Sequence, residues 1–314
     1  MTAAAERVPT TEQIAAAAAK IRPWVRRTPV LDVAVDTPAG PVDLVLKLES
    51  LQHAGTFKPR GAFWSVLSLS APPQRLVAAS GGNHGLAVAH VGAALGILAQ
   101  IFVPTIASPV KVSAIEALGA EVVQVGAHYA EALAASREAA AGEGVLAVHA
   151  YDAETTVAGQ GTLGLELAEQ IDDLDTVLVA VGGGGLISGV RLALPGRVRV
   201  VAVETDGCAT YATALGAGEP VTISPSGIAA DALGAARIGD IAWQVLPDQG
   251  VPAVTVSDDE VRAARQWLWD RLRLVAEPAG ATALAAVLAG HYQPPSGERV
   301  AVVVCGANTD PSDL

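Results

Sequence analysis

Short runs of aliphatic and β-branched residues alternate along this chain of 314 residues with longer stretches of helical character. The runs cover residues 44–48, 76–79, 100–103, 121–125, 145–148, 176–181, 198–204, 253–256 and 300–304. Such alternation predicts parallel strands that are joined by crossover helices. Because runs such as 177–181 and 300–304 are apolar at every position, both faces of each sheet should be covered by helices. The sequence therefore predicts an α/β fold.

Two non-helical breaks divide this pattern. One is Ala71-Pro72-Pro73, where proline cannot continue a helix, and the other lies at 150–152. The breaks predict two lobes, each a mostly parallel sheet with helices on both faces. Residues 1–71 and 149–314 would form the large lobe, and residues 72–148 would form a small inserted one. A cleft between two lobes is the default place for a binding site.

The composition limits the partners and the compartment. The 20 Lys and Arg residues against 32 Asp and Glu residues give a net charge of −12, which argues against nucleic acid or an anionic membrane as a partner. The two cysteines, Cys208 and Cys305, cannot make a disulfide framework, so we expect a reducing, cytoplasmic location. The most apolar stretch, residues 86–104, contains His90 and Gln100 and is interpreted as a buried helix plus a strand, with no membrane span.

A lysine stands where a helix is predicted to begin, in the segment Gly55-Thr-Phe-Lys58-Pro-Arg-Gly-Ala62. The partial positive charge of a helix start and the apolar neighbours both disfavour an ammonium ion, which would make Lys58 a good amine nucleophile. An ordinary solvated lysine is the alternative interpretation.

Two glycine-containing segments follow directly after predicted strands, where open parallel sheets collect ligands. In Ser80-Gly-Gly-Asn83-His84-Gly85 the glycines let the backbone approach an anion, although a turn with a helix N-cap would have a similar sequence. In the second segment Gly182, Gly183, Gly184 and Gly185 expose backbone N–H groups before a helix, which predicts a phosphate site.

The second segment also allows a different interpretation. Gly183-x-Gly185 with Gly189, followed by the run 198–204 that ends at Glu204, imitates the fingerprint of a nicotinamide-dinucleotide site. A Rossmann-type dinucleotide-binding protein is therefore an alternative, but it explains neither Lys58 nor the segment 80–85.

Several motifs together resemble one known family in the order of its own motifs. They are Lys47-Leu-Glu49, Gly55 to Ala62, Ser80-Gly-Gly-Asn83-His84, Gly126 to Ala132, Gly159-Gln-Gly-Thr162, Gly182 to Gly185, Glu277-Pro-Ala-Gly-Ala281 and Val304-Cys-Gly-Ala-Asn308. The set is similar to the serine/threonine dehydratases, which are pyridoxal-phosphate-dependent enzymes of fold type II in the tryptophan synthase beta-like superfamily. The resemblance runs nearly end to end.

The resemblance implies roles for the matching residues. Lys58 would hold pyridoxal 5'-phosphate as an internal Schiff base and later move the Cα proton of the substrate. Around the cofactor, Phe57 would lie against the ring, Asn83 would face the phenolic oxygen, Gly182, Gly183, Gly184 and Gly185 would hold the phosphate, and Cys305 would face the pyridine nitrogen. Ser80 and the neighbouring amides of Gly81, Gly82 and His84 would bind the substrate carboxylate.

Two positions bear on the choice of reaction. A neutral Cys305 would leave the pyridine nitrogen unprotonated, which disfavours long-lived carbanions and favours elimination; otherwise Cys305 is a small buried apolar residue. At position 81 related serine racemases carry a serine that returns a proton to the opposite face of Cα. Glycine has no group for this transfer, so racemisation should be weak.

The expected reaction is dehydration and deamination of L-threonine or L-serine to 2-oxobutanoate or pyruvate plus ammonia. Another fold type II lyase that acts on a bulkier 3-hydroxy amino acid is an alternative. The resemblance also implies a homodimer and a small-molecule amino-acid substrate.

A cation site and one pocket residue depart from the pattern of the family. Glu204 resembles a ligand of the family's cation site, but the second carboxylate expected there is replaced near Thr210. A monovalent or divalent cation held partly by backbone carbonyls is one interpretation, and a solvated strand end is the other. Ala232 stands where many relatives have glycine, and its methyl group could reshape the pocket.

Overall fold

The computed structural model describes residues 7–313; residues 1–6 and 314 of the predicted large lobe lie outside this range. The strands are β1 (Val30–Thr37), β2 (Gly40–Lys47), β3 (Arg75–Ala79), β4 (Leu98–Val103), β5 (Glu121–Gln124), β6 (Val145–Ala147), β7 (Thr176–Ala180), β8 (Arg199–Thr205), β9 (Ala253–Val256) and β10 (Val300–Val303). The helices are α1 (Thr11–Ile21), α2 (Pro59–Leu67), α3 (Asn83–Leu95), α4 (Pro109–Glu116), α5 (Tyr129–Ala140), α6 (Glu154–Gln170), α7 (Gly185–Ala193), α8 (Thr210–Ala217), α9 (Ala230–Leu233), α10 (Asp240–Val245), α11 (Asp258–Leu272) and α12 (Pro278–Leu288).

Six strands form the larger sheet, in the order β1-β2-β10-β7-β8-β9. Only the edge pair β1 and β2 is antiparallel among the described strands, and the remaining neighbours are parallel. The central strands alternate between two cores: Val177 and Val179 pack with α6 and α7 on one face, and Leu178 packs with α11 and α12 on the other. Burial on both faces explains why residues 177–180 of β7 are all apolar.

Strand β1 was not among the strands predicted from the sequence. It forms a hairpin with β2 through the pair Thr37 and Gly40, and most of its residues remain partly or fully exposed. Asp32 and Asp36 interrupt its apolar residues because it is an edge strand with one solvated side. Its alternation of apolar and polar residues was the available signal.

The smaller sheet is fully parallel, in the order β5-β4-β3-β6, and is built from residues 75–147. Leu76 and Ala78 face a core that includes residues of α2, α3 and α4, whereas Val77 and Ala79 face α5. Both sheets therefore have helices on both faces, as predicted. The exact lobe bounds 72–148 stay a prediction, and the strands of the smaller sheet all fall inside them.

The apolar stretch 86–104 is divided as predicted. Helix α3 ends at Leu95, Gly96 adopts a left-handed conformation with φ +67°, and β4 follows. Among residues 7–313, no helix combines the length and the apolar character needed to cross a bilayer.

Candidate active site

The pocket beside Lys58 gathers residues from distant parts of the chain. Its described lining consists of Phe57, Lys58, Asn83, Tyr151, Ala180, Gly182 to Leu186, Ala232, Leu233, Glu277, Ala279 and Cys305. Most of these residues follow the carboxyl ends of β7 and β10 or stand at the start of a helix. Strand order thus brings the predicted lysine, asparagine, glycine loop and cysteine together.

Lys58 is the N-cap residue of α2 and precedes Pro59 at the first helical position. Its Nζ donates to Ala150 O at 2.8 Å and lies 5.0 Å from the centroid of the Phe57 ring. Desolvation lowers the pKa of Lys58 from 10.5 to about 8, although the charge of Glu277 acts in the opposite direction. A substantial share of this amine is therefore uncharged near neutral pH, as nucleophilic attack requires.

Cys305 is held next to Lys58 by the backbone. Phe57 N–H donates to Cys305 O at 3.2 Å, and Thr56 forms a bridge with Gly306. The buried thiol donates to Ala279 O at 3.4 Å. Burial, followed by the nearby Glu277, raises the pKa of Cys305 far above its ordinary value, so this group presents a neutral thiol to the pocket.

The glycine loop connects β7 to α7 and packs closely against Tyr151. Gly184 is the N-cap residue of α7 with φ +87°, where a side chain would collide with Ala242. A Cβ at Gly183 would collide with the Tyr151 ring, and one at Gly185 would lie 2.5 Å from Tyr151 O. Only glycine fits these positions, so the backbone N–H groups at the start of α7 stay unshielded by side chains.

Asn83 belongs to a hydrogen-bonded chain of side chains. Its Nδ2 donates to Glu277 Oε1 at 2.6 Å, and its Oδ1 accepts from Asn308 Nδ2 at 2.6 Å. Asn308 Nδ2 also donates to Ala54 O at 2.8 Å. Burial raises the pKa of Glu277 to about 7, against the opposing effect of the Asn83 hydrogen bond.

The other residues of the segment 80–85 lie between β3 and the first turn of α3. Ser80 Oγ accepts from Gly82 N–H at 3.2 Å. His84 is buried, and its Nε2–H donates to Val148 O at 2.8 Å. Burial and the nearby Lys58 lower the pKa of His84 to about 3, which leaves a neutral imidazole. Of this segment only Asn83 lines the described pocket, and substrate binding by Ser80, Gly81, Gly82 and His84 stays a prediction.

Glu204 lies at the end of β8 and caps α8. Its two carboxylate oxygens accept from Tyr211 N–H at 2.8 Å and Ala212 N–H at 2.7 Å. Thr210 Oγ1 lies 3.2 Å from Glu204 Oε1 and 2.7 Å from Gly182 O, which links this cap to the glycine loop. Burial raises the pKa of Glu204 to about 7. The described residues hold no group of three His, Cys, Asp or Glu side chains arranged for a metal, and a cation at Glu204 stays a prediction.

A buried ion network supports the helix that begins beside Lys58. Arg60 Nε donates to Glu49 Oε2 at 2.8 Å, and its other nitrogens reach both oxygens of Glu166 at 2.8 and 2.9 Å. Lys47 Nζ donates to Glu166 Oε2 at 2.6 Å. Two cations and two carboxylates compensate each other here, so α2 is tied to β2 and α6 by paired charges.

Comparison with known proteins identifies the family. The model of the pyridoxal-phosphate dependent enzymes matches residues 21–306. The chain belongs to this family. The match covers every residue that lines the pocket. It confirms the predicted resemblance and the predicted two-lobed fold type II.

Relatives within the family are similar over nearly the whole chain. The phenylserine dehydratase of Ralstonia pickettii is 37% identical and covers 96% of this chain and 94% of its own length. The biosynthetic L-threonine dehydratase of Escherichia coli is 36% identical over 91% of this chain, which spans 59% of that longer protein. The solved structure of maize serine racemase has a TM-score of 0.90 at 32% identity and covers 98% of this chain and 95% of that one.

Family membership favours pyridoxal phosphate over the dinucleotide alternative. The carboxylate of Glu204, which that alternative would assign to a ribose hydroxyl, is instead occupied by two backbone N–H groups of α8. Glycine-loop spacing alone could not separate the two interpretations, because both ligands place a phosphate at a helix start.

Two polar residues that line the pocket, Tyr151 and Glu277, were not given a role from the sequence, nor was Asn308, which is hydrogen-bonded to the pocket residue Asn83. Glu277 and Asn308 stand in motifs that carry the resemblance. Both form hydrogen bonds to Asn83, which precedes them by about two hundred residues, so no local sequence signal could indicate these contacts. Tyr151 has no local signal beyond its place at the predicted break 150–152. Ala232, the departure from the family pattern, does line the pocket.

Proposed function

We propose that this protein dehydrates and deaminates L-threonine or L-serine, releasing 2-oxobutanoate or pyruvate and ammonia. The observation that carries the proposal is the desolvated amine of Lys58, whose pKa is lowered to about 8, in one pocket with a neutral Cys305 thiol and the glycine loop.

The residues present fit pyridoxal phosphate. Gly182, Gly183, Gly184 and Gly185 would hold its phosphate, since side chains are excluded from this loop and α7 begins there. Lys58 Nζ would bind its aldehyde carbon, Phe57 would lie against the ring, Asn83 would face the phenolic oxygen and Cys305 the pyridine nitrogen. When bound, the cofactor supplies an electron sink for the substrate's Cα.

The protein's own groups then account for the proton transfers. Lys58 Nζ is suited to accept the Cα proton because its pKa of about 8 lies close to the working pH. The neutral thiol of Cys305 keeps a positive charge off the pyridine nitrogen, which favours loss of a β-leaving group over prolonged carbanion chemistry. Ser80 and the N–H groups of Gly81, Gly82 and His84 would orient the substrate carboxylate.

A bulkier 3-hydroxy amino acid is the second candidate substrate. One relative of nearly equal length is a phenylserine dehydratase. A cavity of about 540 Å³ adjoins the pocket and shares Ala232, Glu277 and Ala279 with it. This cavity offers space for a larger β-substituent, and its lining combines apolar residues such as Ile228 and Ala229 with charged ones such as Lys111, Asp231 and Arg262.

Racemisation is a further activity among the relatives. We propose that it is weak here because Gly81 provides no proton donor for the opposite face of Cα. We also propose a homodimer, on the family resemblance, and residence in the cytoplasm, which the two unpaired buried cysteines favour.

A substrate panel tests the proposed function. Protein loaded with pyridoxal phosphate is given L-threonine, L-serine and L-phenylserine, and release of the 2-oxo acid and ammonia is measured together with D-serine. Threonine and serine should be the better substrates, and Lys58→Ala should abolish both turnover and borohydride fixation of the cofactor. Turnover of neither threonine nor serine by the parent protein would refute the proposal, and turnover of phenylserine alone would select the second candidate. Sedimentation velocity tests the dimer separately.

A further inference from the structure

Hydrogen bonds link Ala54, Asn308, Asn83 and Glu277 in series. Ala54 contributes a backbone carbonyl, which can only accept, so Nδ2 of Asn308 must face it. The same Nδ2 donates to Asn83 Oδ1 at 2.6 Å, which fixes the orientation of the second amide. Nδ2 of Asn83 therefore faces Glu277 Oε1.

Counting protons leaves one N–H of Asn83 for a ligand. Asn308 Nδ2 gives its two protons to Ala54 O and Asn83 Oδ1. Asn83 Nδ2 gives one of its two protons to Glu277 Oε1, and the hydrogen bonds among residues 7–313 do not use the other. A flipped Asn83 would place its Nδ2 against Asn308 Nδ2, donor against donor, which is unfavourable for buried polar groups.

The backbone is shaped to admit the Glu277 carboxyl group at this place. Glu277 is buried, with 3% of its surface exposed. A side chain at Gly306 would collide with Glu277 Oε1, and one at Gly280 would collide with Gly306 O. Gly306 directly follows Cys305, so the carboxyl group rests against the strand end that carries the neutral thiol. Besides burial, the charge of Asp231 raises the pKa of Glu277, and the charges of Lys111 and Lys58 lower it. Glu277 in turn raises the pKa of Cys305.

We propose that Glu277 is a positioning residue, which fixes the Asn83 amide so that its remaining N–H points at the phenolic oxygen of pyridoxal phosphate, with Asn308 holding the amide from the other side. The inference rests on the proposed function for the identity of the bound group. It assigns Glu277 a task that acts through Asn83 and requires no contact with the substrate.

The test compares Glu277→Ala, Asn83→Ala and the double variant with the parent protein, all loaded with pyridoxal phosphate. The visible absorbance band of the bound cofactor and its pH titration should shift in the same direction and by the same amount in all three variants. The value of kcat/KM for oxo-acid release should fall about 10-fold to 100-fold in each single variant. The double variant should lose no more than Asn83→Ala alone, since both changes remove one interaction.

Conservative and control variants separate positioning from general effects. Glu277→Gln keeps an oxygen acceptor for Asn83 Nδ2 and should restore the parent band, and Asn308→Ala should shift the band in the direction of Asn83→Ala. Asp231→Asn removes an exposed carboxylate that acts on Glu277 through charge alone, and it should leave the band unchanged.

Three results would overturn the proposal. They are an unchanged band in Glu277→Ala, additive effects in the double variant, and a shift in Asp231→Asn as large as that in Glu277→Ala. If Glu277→Ala does not fold, the other two variants decide: a shifted band in Glu277→Gln or an unchanged band in Asn308→Ala would overturn the proposal. A parent protein that has the band but releases no oxo acid would refute the proposed function alone, because the spectral comparison would still report on Glu277.

Discussion

The lowered pKa of Lys58 predicts how fast the protein without cofactor captures pyridoxal phosphate at different pH values. Only the neutral amine attacks an aldehyde. With a pKa of about 8, about a quarter of Lys58 is neutral at about pH 7.5, compared with about one molecule in a thousand for a pKa of 10.5. The pocket therefore raises the reactive fraction roughly 200-fold near neutral pH.

The rate of cofactor capture should rise as the pH increases through about 8 and then level off, because at higher pH the amine is fully deprotonated. The Glu277 charge raises the pKa of Lys58, so Glu277→Gln should move the midpoint to lower pH. Desolvation remains the largest cause, and the midpoint of this variant stays far below 10.5.

Stopped-flow absorbance measures this prediction when the protein without cofactor is mixed with pyridoxal phosphate in a series of buffers. Acetyl-lysine amide in the same buffers corrects for ionisation of the cofactor itself, and Lys58→Ala corrects for reaction at other amines. A midpoint near 10.5 would mean that Nζ is solvated and would refute the reasoning. A higher midpoint in Glu277→Gln would refute the assigned effect of that charge.

Three other substitutions test the scaffold and the choice of reaction. Gly184→Ala should lower the free energy of unfolding by about 3 kcal/mol and weaken cofactor binding, as measured by denaturant unfolding and absorbance titration. The control Gly218→Ala, at φ +76° in open space, should lower it by only about 1 kcal/mol. Equal losses in the two variants would contradict the steric argument. Arg60→Met should cost about 3 to 5 kcal/mol because it leaves Glu49 buried without its partner, and a loss below about 1 kcal/mol in chemical denaturation would contradict it. In Gly81→Ser the new Cβ would have its nearest neighbour at 3.5 Å, so the variant should fold. It should form D-serine from L-serine, as measured by chiral chromatography. Rapid D-serine formation by the parent protein would refute the role given to Gly81.

Most of the fold could be predicted because its central strands are buried on both faces. Residues 177–180 of β7 and all four residues of β10 are apolar, so the existence and the parallel pairing of these strands follow from pattern alone. Strand β1 carries two aspartates and lies at an edge, where solvent removes the constraint that makes a strand recognisable. The pairing order β1-β2-β10-β7 depends on contacts between ends of the chain, and no local signal encodes it.

The site was predictable where a residue with characteristic chemistry stands at a strand end or at a helix start. Asn83, Cys305 and the glycine loop follow strands, Lys58 begins α2, and the fold brings them into one pocket. Glu204 is different: an acidic residue at a strand end has the same local sequence whether it binds a cation, a ribose or the amides of a following helix. The choice depends on where α8 begins, and here Tyr211 and Ala212 present their N–H groups to its carboxylate.

The proposed phosphate site at the glycine loop would also explain how a chain with a net charge of −12 can hold an anionic cofactor. Within the described lining of the pocket, Lys58 is the only lysine or arginine, so no other side-chain cation is placed for the phosphate. In this assignment backbone N–H groups and the positive end of α7 would supply the attraction, without a mobile charge. An arginine at the phosphate would have added a further cation to the site of Lys58. Because the loop carries no charge, desolvation is the main cause that lowers the pKa of the Lys58 amine, and the charge of Glu277 raises this pKa in part.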